Sequence, residues 1–120
     1  MGLLDKIFGG KPKPGEPVEI TDEIFDEKVM KSELPVLVDF WASWCSPCHV
    51  MSGLLRELGP QYLHRMKFYK LNVEKNPEAP RRHNISSIPA LLLFKKGEVV
   101  DRIDGLLPLK PLKERLDKIA

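Results

Sequence analysis

Cys45 and Cys48 are the only cysteines in this 120-residue chain, and two residues separate them. An apolar run, Val36-Leu37-Val38-Asp39-Phe40, leads into Trp41-Ala42-Ser43-Trp44 just ahead of the pair, and a helical pattern opens at Pro47. A dithiol at such a strand-to-helix junction suits a disulfide that opens and closes. A helix start offers unpaired backbone N–H groups and the positive end of the helix dipole. Both favour thiolate over thiol, and the thiolate is the nucleophile. Cys45, ahead of the helix, is the expected attacking group and can form a mixed disulfide with a substrate. Cys48, within the first turn, is close enough to attack that bond and release the reduced product. On this reading the electrons reside in the Cys45–Cys48 pair, and no organic cofactor or metal is expected.

The residues around the pair extend the chemistry. Pro47 fits a first helical turn, where a missing N–H costs little, and it holds Ser46 extended. Ser46 reads as a loop residue whose hydroxyl can also donate to a neighbouring thiolate. Asp39 is an acid within an apolar strand; burial raises a carboxyl pKa and makes it a candidate proton acceptor near neutrality. Trp41 reads as core or site wall, and Trp44 as an apolar lip facing substrate. His49 reads as a surface residue that modulates partner contact. Met51 and Met66 read as core filler.

Two other chemistries use the same cysteines. Cys45-Ser46-Pro47-Cys48-His49 matches the covalent c-type haem attachment pattern, which needs export and thioether formation. A zinc site would recruit two further ligands such as His64 and His83, which lack the usual paired spacing.

The flanking sequence supplies a frame. Val18-Glu19-Ile20 reads as a short strand. Thr21 or Asp22 can cap a helix to about Lys31, with Ile24, Phe25, Val29 and Met30 inward. Val36 to Ala42 reads as a strand buried on both faces. A helix is expected from Pro47 to about Leu63, with Gly53 and the Gly59-Pro60 pair as weak points where it bends or breaks. Lys67–Val73 is a further strand and Pro77 to about His83 a short helix. Ala90–Phe94 and Glu98–Asp104 flank Lys95-Lys96-Gly97 as a β-hairpin. A last helix spans about Pro111–Ile119, with Leu112, Leu116 and Ile119 inward. The order β-α-β-α-β-α-β-β-α implies an α/β layer fold with a mixed sheet, parallel pairs first and an antiparallel hairpin last.

Composition narrows the function classes. Charged residues are 30% and apolar residues 42% of the chain, ordinary for a globular domain. The formal net charge is +2, with basic and acidic residues interspersed, so no nucleic-acid footprint is expected. No apolar run approaches the ~20 residues of a membrane span. Residues 1–17 read as an amphipathic segment followed by a Pro/Gly/Lys linker, and residues 18–120 as the folded domain. Leu3, Leu4, Ile7 and Phe8 share one helical face, an eight-residue stretch read as frayed or packed on the domain, with membrane or partner contact the weaker alternative. The N-terminus lacks a secretory apolar region, so a cytoplasmic location is expected. A lone Cys-x-x-Cys in a reducing compartment points to catalysis or metal binding rather than a staple.

Several separate segments, agreeing in order over about Val18–Ile119, resemble the thioredoxin family. Val36–Ala42 running into Trp44-Cys45-x-Pro47-Cys48 resembles its active-site strand and loop, and Lys70-Leu71-Asn72-Val73 its central strand. Ile85–Pro89 followed by Leu91-Leu92-Leu93-Phe94-Lys95-x-Gly97-Glu98 resembles its cis-proline loop and hairpin. Gly105 falls at the family's glycine after the last strand. The resemblance implies a thioredoxin fold, with a central mixed sheet of about five strands flanked by about four helices. It implies a protein disulfide reductase acting on disulfide-containing client proteins, with a flavin reductase dependent on a nicotinamide as electron donor. It further implies that Asp39, partnered by Lys70, helps deprotonate Cys48, often through water. A cis Ile88-Pro89 bond would turn the backbone of Ile88 toward the cysteines to pair with an extended client segment, and Gly105 and Leu106 would complete an apolar rim with Trp44. A monomer is expected. Ser46, His49, Gly53 and Ala90 depart from the usual glycine, lysine, proline and threonine; they leave every reacting group in place and bear on potential and partner choice. A non-catalytic module of the same fold is the remaining alternative, and retention of Cys45, Cys48, Asp39, Lys70 and Pro89 argues against it.

Overall fold

Residues 11–120 are described by the computed structural model; the amphipathic stretch expected at Met1–Phe8 lies outside the described residues. Five strands form one sheet: β1 (Val18–Ile20), β2 (Val36–Trp41), β3 (Lys67–Asn72), β4 (Ala90–Lys95) and β5 (Glu98–Asp104). Their spatial order is β1-β3-β2-β4-β5. The β1/β3 and β2/β3 pairs are parallel, and β2/β4 and β4/β5 are antiparallel. Among the described residues four α-helices flank the sheet: α1 (Asp22–Phe25), α2 (Ser46–Leu58), α3 (Glu78–Arg82) and α4 (Leu109–Asp117). This is the mixed α/β architecture that the order of sequence patterns implies.

Side-chain alternation along β2 divides the interior. Val36, Val38 and Phe40 join Ile20, Phe25, Leu71 and Phe94 in one apolar cluster. Leu37 joins Met51, Leu55, Leu58, Phe68, Leu91, Leu112 and Leu116 in the other. Because successive strand residues point to opposite faces, Asp39 shares the face of Leu37, beneath α2. All five residues from Val36 to Phe40 are buried, as a strand covered on both faces requires. Each leucine buried here contributes about 1.5–3 kcal/mol relative to exposure.

Two helices here differ from expectation, in their bounds or their cap. The segment after β1 is α-helical only to Phe25 and continues as a π turn over Asp26–Met30. Thr21 occupies the N-cap position without a side-chain bond. Asp22 caps a different helix: its carboxylate accepts the N–H groups of Glu78 and Ala79, both at 2.9 Å, at the start of α3. Asn76 Oδ1 in turn accepts the Asp22 N–H at 2.9 Å. α4 begins at Leu109, two residues before the expected start, with Pro108 at its N-cap.

The helix after Cys48 runs unbroken through Gly53 and changes at Gly59, where a 3-10 turn continues to Tyr62. Gly59 is required by close approach: a Cβ there would collide with the backbone of Gly15, which has φ +92°. The linker's last residues are therefore packed on the domain. A turn closed by Glu16 N–H to Lys13 O, 2.9 Å, sets them there, and Pro17 is buried.

Candidate active site

Cys45 caps α2. Its Sγ accepts the backbone N–H of Cys48 at 3.2 Å, and Pro47 sits in the first turn, where its missing N–H is no loss. The two cysteines are joined as a disulfide, with their Cα atoms 5.2 Å apart. Both are covered: Cys45 is 4% exposed and Cys48 1%. Cys45 is thus the nearer of the two to solvent but not freely exposed, because Ala42, Trp41, Val73 and Ile88 pack around the pair. Ser46 is not the extended loop residue expected: it is the first residue of α2, because the helix starts one position before Pro47 and Cys45 takes the extended N-cap conformation; its side chain is exposed.

Behind Cys48 lies a cavity of about 180 Å³, lined by Asp39, Trp41, Cys48, His49, Ser52 and Lys70. Asp39 is 1% exposed, and its Oδ1 finds no hydrogen-bond partner among the described residues. Burial pushes its carboxyl pKa up to about 7; the Lys70 ammonium pulls it down and the Glu19 carboxylate pushes it further up. Lys70 stands opposite Asp39 in the β2/β3 register. Its Nζ lies 5.6 Å from the centre of the Trp41 ring rather than in an ion pair with Asp39. The ammonium therefore acts on the carboxylate at a distance, which leaves a buried acid poised between its two protonation states.

The loop before Cys45 is anchored by Glu74, a residue that no sequence motif marks. Glu74 Oε1 accepts both the N–H and the hydroxyl of Ser43, at 2.7 and 2.8 Å. Those bonds hold the Glu74 carboxyl below its ordinary range. The Ser43 carbonyl accepts from His49 Nε2 at 2.8 Å, so His49 is fastened across the loop, its ring tilted against that of Trp41. The signal for Glu74 was weak, because an acid two residues past a strand end is ordinary surface composition.

Trp44 is 70% exposed and borders a groove of about 270 Å³ with Val73, Pro80, Ile85, Ser86, Ser87 and Ile88. The Ile88-Pro89 bond is cis. No group among the described residues bonds the Ile88 N–H or C=O. Pro89 O accepts the Gly105 N–H at 2.8 Å, and Gly105 has φ +83°, a conformation that glycine adopts without a Cβ penalty. Leu106 beside it is 46% exposed. The expected site residues thus converge on one end of the sheet. Trp41 is half-buried and forms the cavity wall rather than core, whereas Met51 and Met66 are core.

The two histidines considered with the cysteines for zinc lie elsewhere. His83 packs between Phe25 and Phe94, and His64 lies in the turn after α2 with φ +74°. Among the described residues no group of three or more His, Cys, Asp or Glu side chains is placed to hold a metal, and no helix is long and apolar enough to cross a membrane.

A family model described as Thioredoxin matches residues 16–118. The Thioredoxin of Rickettsia bellii is 47% identical over 87 residues, covering 72% of this chain and 83% of that protein. Thioredoxin 1 of Nostoc sp. is 40% identical over 100 residues, covering 83% and 94%. The chloroplastic Thioredoxin M-type of Pisum sativum is 42% identical over 99 residues, covering 82% and 58%. These likenesses do not favour the haem-attachment reading of Cys45–His49, and the joined cysteines at the head of α2 agree with them. On fold, motif and relatives together, the chain belongs to the thioredoxin family and is a thiol–disulfide oxidoreductase.

Proposed function

We propose that the protein reduces disulfides in client proteins, with Cys45 attacking, Cys48 resolving and Asp39 handling the proton. In the dithiol form the Cys45 thiolate attacks one client sulfur, and the other leaves as a thiolate. Cys48 then loses its proton to Asp39 and attacks Cys45 Sγ. The mixed disulfide breaks, the Cys45–Cys48 disulfide forms, and two electrons have passed to the client. A dithiol donor of the reductase type restores the pair. The observation that carries this reading is the unpartnered Asp39 oxygen in the cavity that Cys48 also lines. The cavity is roomy enough for a bridging water, whose share of liquid volume is about 30 Å³.

Lys70 tempers the acid, while Ser46 and Pro47 open the helix that carries Cys48. The free N–H and C=O of Ile88 offer an edge for an extended client segment, with Trp44, Pro89 and Gly105 around it. The domain responsible is residues 18–120, acting as a monomer in a reducing compartment such as the cytoplasm, where a lone Cys-x-x-Cys persists as a working dithiol. Cys48→Ser tests the order of events: mixed disulfides should accumulate through Cys45, be released by added dithiol, and fail to form in Cys45→Ser. Equal trapping by both variants would reject Cys45 as the attacking group.

A further inference from the structure

We propose that Glu19 is a positioning residue of the exchange reaction: by holding Trp41 and drawing Lys70 toward β1, it keeps the ammonium from fully pairing Asp39 and leaves that carboxyl free to take up a proton. This inference rests on Asp39 as the proton acceptor from Cys48.

Sheet register supplies the geometry. Glu19 stands opposite Lys70 in the β1/β3 pair, and Lys70 opposite Asp39 in the β2/β3 pair. Side chains in register on neighbouring strands share a face, so Glu19, Lys70 and Asp39 form one row across three strands, with Lys70 central. The row continues into apolar ground at Leu91 of β4. The cation therefore has an acid on either side. The outer acid is exposed and the inner one is 1% exposed.

Trp41 links the two ends of the row. Its Nε1–H donates to Glu19 Oε2 at 3.4 Å, and the Lys70 ammonium lies over its ring. The indole lines the cavity of Asp39 and Cys48 on one side and a groove with Glu19, Glu23 and Lys75 on the other. Glu19 thus grips the partition between the reacting cavity and solvent, and it competes for the Lys70 ammonium that acts on Asp39. The charged and titratable groups around Asp39 in the oxidised protein are Lys70 from β3, Glu19 from β1 and His49 from α2, with the disulfide sulfur of Cys48 beside them. Lys70 and Lys75 act on Glu19 itself, whose carboxyl is raised by partial burial and lowered by Lys70.

The sign is fixed by this arrangement. Removing the Glu19 charge deletes a repulsion on the Asp39 carboxylate and releases Lys70 toward it, and both changes favour the ionised acid. Two charges two strand spacings apart, ~10 Å, interact at a partly buried site by enough to move a titration by about half to one pH unit. Glu19 is exposed, so its replacement leaves the core intact.

The experiment follows the Asp39 carboxyl by carbon NMR across pH in oxidised wild type, Glu19→Gln, Glu19→Ala and Glu19→Asp. Glu19→Gln keeps an acceptor for the indole and removes the charge. Its Asp39 midpoint should fall by about half to one pH unit, that of Glu19→Ala at least as far, and Glu19→Asp should restore the wild-type value. An unchanged midpoint in Glu19→Gln, or an equal fall in Glu19→Asp, overturns the proposal. The pH dependence of mixed-disulfide resolution is read separately on the same variants. If the midpoint falls as expected while that profile stays put, the coupling of Glu19 to Asp39 stands and the proton-acceptor role of Asp39 fails.

Discussion

Asp39 and Asp101 are the same side chain in the same sheet, and the fold treats them in opposite ways. Asp101 lies on the outer strand β5 and receives a complete set of donors. Arg115 of α4 grips it with both ends of its fork, Nε to Oδ2 and Nη2 to Oδ1, each at 2.6 Å. The Arg102 N–H adds a bond at 2.8 Å. Its pKa is held below the ordinary carboxylate range, chiefly by Arg115. Asp39 lies on the central strand β2 beneath α2, keeps one oxygen without a partner and is pushed up to about 7. An acid supplied with a bidentate cation fastens a helix to a sheet. An acid buried and only partly compensated destabilises the ionised fold and is ready to bind a proton. The difference separates an acid that fastens a helix to the outer strand from one buried on the central strand beside the cysteines.

Asp39→Asn breaks the contrast most severely. Asp39 has a folded pKa near 7 against 3.8 as its ordinary value, so the folded state holds the proton more tightly. Its contribution to stability is fully present below pH 3.8 and is lost as pH rises toward 7. Asparagine has no proton to lose. In urea unfolding of the oxidised protein, the variant should match wild type near pH 3 and exceed it by about 4 kcal/mol at pH 8. Resolution of the mixed disulfide at neutral pH should slow by about 10²-fold, the lower range for a positioned proton acceptor. A stability gain independent of pH would show that the carboxyl is not the strained group. Unchanged turnover would remove its catalytic role.

Asp101→Asn sharpens the contrast from the other side. A depressed folded pKa means stability that is present above the ordinary carboxyl range and lost as pH falls through the depressed value. The variant should lose about 1–2 kcal/mol at pH 7, a value reduced by the partial exposure of the pair, and the loss should fade below about pH 4. Exchange with a model disulfide should be unaffected, because Asp101 faces α4 rather than the cysteines. Slower exchange in this variant would mean that the outer-strand acid and the reacting site are not separable.

The reacting site was far more legible than the outer-strand anchor. Cys45, Cys48, Pro47 and Asp39 lie within ten residues, and local patterning alone places an acid inside a buried strand that ends at a helix cap. Lys70 and Pro89 came from segments that resemble known ones. By contrast, Arg115 grips Asp101 across 14 positions of sequence, and Asp22 caps a helix 56 residues on. Such bonds depend on how elements pack, which propensity and periodicity do not encode. The same holds for Glu19: its role as neighbour of Lys70 follows from strand order, and strand order is a tertiary fact. The helix after Cys48 shows local weakness overridden where space is open and expressed where it is not. Gly53 is spanned without a break, whereas Gly59 is fixed by the backbone of Gly15.

Gly53→Ala provides the smallest effect and the control that both aspartates need. Gly53 lies inside α2 with no heavy atom near the position of an added Cβ. Alanine there lowers the backbone entropy of the unfolded chain and should stabilise the protein by about 0.5–1 kcal/mol. No ionisable group is involved, so the gain should be equal at pH 4 and pH 8 and should add to the effects of Asp39→Asn and Asp101→Asn. Those two variants bend the pH–stability curve in opposite senses, whereas Gly53→Ala should lift it in parallel. A lift that appears only above pH 7 would mean that stiffening α2 alters the cavity under Cys48. The strain at Asp39 would then be a property of helix placement rather than of the carboxyl and its immediate neighbours.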